Sequence, residues 1–132
     1  MTAIKREERI GGQRLILGDC LEVMQDLGPV DAVVTDPPYG IKWRTPPSSK
    51  RPKSGRTVCN DDQPFDPTPW LRWPCIMWGA NHFAYGLPAS AAWLIWDKRH
   101  KMPPNDQSDC ELAFCSVGGS ARIFRKTWNG GG

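Results

Sequence analysis

No apolar run in this chain exceeds Ala91–Trp96, far short of the roughly 20 residues that a membrane-spanning helix requires. The opening MTAIKREER holds no apolar segment of the kind a secretory leader carries. Five cysteines form no Cys-x-x-Cys pair and no zinc-ligand spacing. The two histidines, His82 and His100, have no ligand cluster near them in sequence, and Asp61, Asp62 and Asp66 lack the spacing of a calcium loop. No internal repeat is present. These absences argue against a membrane protein, a disulfide scaffold and a metal centre. They lead to the expectation of a cytoplasmic protein with reduced, partly buried thiols.

The chain does have proline and glycine, 13 of each in 132 residues, so much of it must be loop. A length of this order is expected to make one domain, residues 1–132. Residues 1–13 are polar and basic and are expected to fray. Arg14–Gly18 reads as a strand. Asp19 then N-caps a helix with Leu21, Met24 and Leu27 at helical spacing, and Gly28-Pro29 stops it. Ala32–Thr35 is a continuous apolar strand of the kind found in a sheet covered on both faces. Residues 41–69 contain six prolines and read as a long irregular loop. A short helix near Trp70–Trp73, a strand Cys75–Trp78, a short helix Ala80–Tyr85 and a strand Ala92–Trp96 follow. Glu111–Ser116 and Arg122–Thr127 flank Gly118-Gly119 as a hairpin would. Trp78, Trp93 and Trp96 are expected in the core. The alternation implies an α/β fold with a mostly parallel sheet and an antiparallel C-terminal hairpin.

The strand Ala32–Thr35 delivers Asp36-Pro37-Pro38-Tyr39-Gly40 at its end. These residue types suit chemistry on an exocyclic amine of a nucleobase. The amine is a weak nucleophile because its lone pair is delocalised into the ring. A site that activates it must accept both N–H bonds and offer no competing donor. The Asp36 carboxylate and the Pro37 carbonyl are acceptors, and neither proline has a backbone N–H. The fixed proline φ, roughly −65°, stiffens the turn before substrate arrives, as preorganisation requires. Tyr39 supplies a flat face worth roughly 1–3 kcal/mol in base stacking, which helps offset the few kcal/mol of extracting a base from a duplex. Ligands of open α/β sheets bind beyond the carboxyl ends of strands, where this motif lies.

Asp-Pro-Pro-Tyr after an apolar strand resembles the catalytic motif of site-specific DNA amino-methyltransferases. The resemblance implies a Rossmann-like, S-adenosylmethionine-dependent fold in the permuted order, with the catalytic half first. It implies direct transfer to adenine N6 without a covalent intermediate, double-stranded DNA as partner, and Asp36, Pro37, Pro38 and Tyr39 as catalytic residues. Cytosine N4 is the alternative target. Gly18-Asp19-Cys20-Leu21 is similar to the segment that contacts the cofactor's adenine in this family, which makes Asp19, Cys20 and Asp36 candidate cofactor ligands. Asp19 as a plain helix cap is an equal reading, and both can hold. Met77–Phe83, Trp93–Lys98 and Cys110–Phe114 resemble later segments of the family more weakly. Pro74-Cys75 is similar to the Pro-Cys of enzymes that attack the cytosine ring, but it begins an apolar strand and reads as a buried thiol.

Lys42, Arg44, Lys50, Arg51, Lys53 and Arg56 follow the motif, and no acid falls between Gly40 and Asn60. That local charge is well placed for DNA phosphates, which position a protein without reading sequence. The family's Phe-x-Gly-x-Gly cofactor loop is not found. Three readings stand side by side: a truncated or split enzyme completed by a cofactor-binding half or by a homo-oligomer, a compact variant, and a non-catalytic DNA-binding remnant.

Overall fold

The computed structural model describes residues 3–44 and 57–128. The chain divides into two compact units, residues 1–31 and 32–132.

In the first unit, β1 (Ile4–Ile10) pairs antiparallel with β2 (Gln13–Gly18). The expected frayed start is therefore a strand. Its charged residues tolerate solvent on both faces, and Gly11-Gly12 closes the two-residue turn, with φ of 59° at Gly11. The Arg14 guanidinium clasps the Glu7 carboxylate with bonds of 2.7 and 2.9 Å. Helix α1 (Cys20–Asp26) follows, capped as expected: the Asp19 carboxylate accepts from Leu21 N at 2.9 Å. Val23 is its buried residue.

In the second unit, β3 (Val33–Thr35), β4 (Cys75–Trp78), β5 (Leu94–Asp97), β6 (Cys110–Cys115) and β7 (Arg122–Arg125) form one sheet in the order β3-β4-β6-β5-β7. The pairs β3/β4 and β5/β7 are parallel, whereas β6 runs antiparallel to both its neighbours.

This arrangement corrects the expected Rossmann-like, mostly parallel architecture. The sheet is mixed, and among the described residues α1 is the sole α-helix and belongs to the other unit. The segments read as helices near residues 70–73 and 80–85 are single 3-10 turns, Thr68–Trp70, Ala80–His82 and Ala84–Gly86. Pro67 and Pro74 flank the first, which contains Pro69, and Gly79 and Pro88 flank the others, leaving no room for a longer helix. The C-terminal hairpin is also corrected: β5 lies between β6 and β7, so the chain at Gly118-Gly119 crosses over a strand.

Only one face of the sheet is well covered. Met77 and Phe114 are register partners and fully buried, with Cys75, Phe83, Ala80 and Pro67 packed around them. Val34 on the opposite face is 68% exposed, so β3 is not covered on both sides. Trp78, Trp93 and Trp96 are half-buried; Trp70 is the most buried tryptophan.

Candidate active site

The antiparallel β6 aside, the strands of the sheet run one way, so the ends of β3 and β4 lie on the same side. Asp36 to Tyr39 leave the end of β3, and Gly79 leaves the end of β4. The Tyr39 hydroxyl donates to Asp36 Oδ1. No described residue donates to Asp36 Oδ2, which leaves that oxygen available. Burial first, and then the Asp36 carboxylate, push the Tyr39 phenol well above its ordinary value, so Tyr39 stays a neutral donor. Tyr39 stacks on His82 with ring centres 4.6 Å apart and planes 12° apart. Gly79 has φ of 70°, and a Cβ there would overlap the Tyr39 ring. Glycine is needed at this position both for its backbone and for the closeness of the ring.

Beyond Tyr39, the chain folds over Asp61. Gly40 N and Ile41 N donate to Asp61 Oδ1 at 2.9 and 3.2 Å, and Trp43 N to Oδ2 at 2.6 Å. Lys42 N donates to the Asp61 carbonyl at 2.9 Å. Four successive amides thus end on one residue that is 5% exposed. The Trp43 amide first, with those of Ile41, Gly40 and Tyr39 behind it, holds the Asp61 carboxyl below its ordinary value. Positive φ at Gly40 and Lys42 aims the amides at this anion.

Asp36, Pro37, Pro38 and Tyr39 line a pocket of about 270 Å³ with Ile41, Trp43, Val58 and Asp61. Its backbone from Pro37 to Trp43 is poor in free donors. The prolines have no N–H, and the amides that follow are committed to Asp61. Lys42 and Arg44 are exposed and border a second recess of about 480 Å³. Lys50, Arg51, Lys53 and Arg56 lie outside the described residues.

The residues implied for the methyl donor fit it less well. Asp19 Oδ1 is taken by its helix cap. A Cβ on Gly18 would come within 2.5 Å of the Ala3 carbonyl and 2.7 Å of Val23, so packing alone accounts for this glycine. Burial, and then Asp19, push the Cys20 thiol up. The hairpin-to-helix junction accounts for this segment without a ligand. Among the described residues no group of three or more His, Cys, Asp or Glu is placed to hold a metal ion, and no helix is long and apolar enough to cross a membrane.

Sequence reasoning missed Asp61, Gly79 and His82 as parts of this site. Asp61 carried a signal: acids and amides in loops commonly accept from nearby backbone, and Asn60-Asp61-Asp62 ends the uninterrupted basic stretch. Nothing in the sequence announced His82. No protein-family model, curated protein or solved structure matches the chain.

Proposed function

We propose that the pocket at Asp36–Tyr39 receives a flipped adenine and presents its N6 amine for methylation within DNA. The observation that carries this reading is the donor-poor backbone from Pro37 to Trp43, beside Asp36 Oδ2, to which no described residue donates. One N–H of the amine donates to Asp36 Oδ2 and the other to the Pro37 carbonyl. Tyr39 holds Asp36 Oδ1 and so fixes the carboxylate plane. In this reading the two acceptors draw the N–H bonds out of the ring plane, so the nitrogen becomes pyramidal and its lone pair leaves conjugation. S-adenosylmethionine is the donor in this reading and supplies an electrophilic methyl group. Asp36 then holds the surplus amine proton until solvent takes it. The family resemblance adds duplex DNA as the partner, engaged through Lys42, Arg44 and the basic residues that follow.

Incubation with labelled S-adenosylmethionine and unmethylated DNA tests the reading. Label is expected on adenine and absent with Asp36→Ala. Label on cytosine would reassign the target to N4. DNA binding without label under any condition would favour a non-catalytic binding protein. Calorimetric titration with S-adenosylmethionine decides whether this chain takes the donor alone.

A further inference from the structure

The sheet face opposite the core carries a row of aromatic side chains. Trp78 meets Phe124 edge to face at 6.3 Å, Phe124 stacks with Trp96 at 6.0 Å and 7°, and Trp128 stands edge-on to Trp96 at 6.3 Å. The register places them together: Phe124 is the partner of Trp96, and the small, fully buried Ala113 is the partner of both Trp78 and Leu94. Trp96 is fixed further by its indole N–H, which donates to the Lys126 carbonyl at 2.8 Å. Yet Phe124 is 47% and Trp128 59% exposed. The row is held from below and open from above.

Its charge says what suits it. Residues 122–128 include Arg122, Arg125 and Lys126 and no acid. Of the nearby acids, Glu111 is paired with Lys98, and Asp97 lies 3.5 Å from Arg125 and 3.6 Å from His100. Arg122 and Lys126 have no ion-pair partner among the described residues. Protein interfaces are depleted in lysine at their cores, so an unpaired Lys126 beside open rings favours phosphate over a second polypeptide. Open aromatic faces take unpaired bases, whereas duplex bases are already stacked on one another.

We propose that this face binds single-stranded DNA, with bases stacked on Phe124 and Trp128 and phosphates at Arg122 and Lys126. None of these four residues lines the Asp36 pocket, and the proposal does not depend on methyl transfer.

Single-stranded oligothymidylate tests this, because thymine has no exocyclic amine for the pocket. Titration into the full chain is expected to quench tryptophan fluorescence to saturation. Trp128→Ala and Phe124→Ala should each weaken binding about tenfold at unchanged circular dichroism. Arg122→Gln and Lys126→Gln should each lower the slope of log affinity against log salt by about 0.7. The strand carries no adenine and the readout is binding alone, so a failed methylation reading and a failed surface are told apart. Equal binding by the aromatic variants overturns the proposal. So does tighter binding of oligouridylate, which would make RNA the partner, or a dimer in sedimentation that Trp128→Ala dissolves, which would make a second copy the occupant.

Discussion

Gly79→Ala probes whether the Tyr39 ring is held where the pocket needs it. Two costs are separable. The new residue must sit at φ near 70°, and a left-handed conformation costs an L-residue roughly 1–2 kcal/mol. Its methyl group also overlaps the Tyr39 ring, so the ring must leave its stack on His82, a contact worth roughly 0.5–1.5 kcal/mol. The expected loss of stability is about 2–3 kcal/mol, read by urea denaturation with far-ultraviolet circular dichroism. A double-mutant cycle isolates the second cost. In a Tyr39→Ala background only the backbone cost survives, so Gly79→Ala should lose less there, with a coupling of about 1 kcal/mol. A loss below about 0.5 kcal/mol, or equal losses in the two backgrounds, would refute the claim that Gly79 and Tyr39 are fitted to each other.

Asp61→Asn replaces an anion that takes three amides with a group that also carries donors, so amide exchange at Gly40, Ile41 and Trp43 should accelerate. In the unsubstituted chain the same amides should open only in acid: a carboxyl held below its ordinary 3.8 stabilises fully above that pH and loses the effect as pH falls through its lower folded value. Tyr39, raised above its ordinary 10.0, stabilises as a neutral phenol below pH 10, and that contribution is lost only as pH rises through the raised folded value; spectrophotometric titration should find a late-ionising tyrosine that Tyr39→Phe removes. Adenosine should perturb the Tyr39 ring resonances at concentrations at least about tenfold below those of inosine, whose carbonyl would face acceptors left without partners at about 1–3 kcal/mol; equal affinities would refute amine selection.

Much of the site was legible because its chemistry is contiguous. Asp36 to Tyr39 follow an apolar strand, and the structure places them at its end. The strand Cys75–Trp78 stood out by apolar content, as did Ala92–Trp96, most of which lies in Leu94–Asp97, and the Asp19 cap by residue type. Pairing order was not legible, since Gly118-Gly119 looks the same whether it closes a hairpin or crosses a strand. The expected helices at 70–73 and 80–85 have only four and six residues between prolines or glycines, and they close as 3-10 turns. Ile4–Ile10 was missed because its charges hide a strand whose partner, not its own pattern, stabilises it. Asp61 and His82 were illegible as site residues because their roles depend on contacts 21 and 43 positions away in the chain: Asp61 takes the Gly40 amide, and His82 takes the Tyr39 ring.

Under the proposed reading, the two halves of the motif loop meet one electrostatic demand by different means. An amine that must give up both N–H bonds needs acceptors around it, and backbone amides are the unavoidable competitors, one for each ordinary residue. At Pro37 and Pro38 the donor is deleted covalently. From Gly40 to Trp43 the donors exist, but Asp61 gathers them on the side of its own carboxylate and carbonyl. Tyr39 lies between these stretches: its hydroxyl goes to Asp36 Oδ1 and its amide adds to the pull on Asp61. A proline-rich turn that served only to reverse the chain would need none of this, because solvent satisfies exposed amides at little cost. Burying an aspartate to collect them is intelligible if the pocket's backbone must present oxygens and no amides, which is the demand an exocyclic amine makes and a carbonyl-bearing base does not.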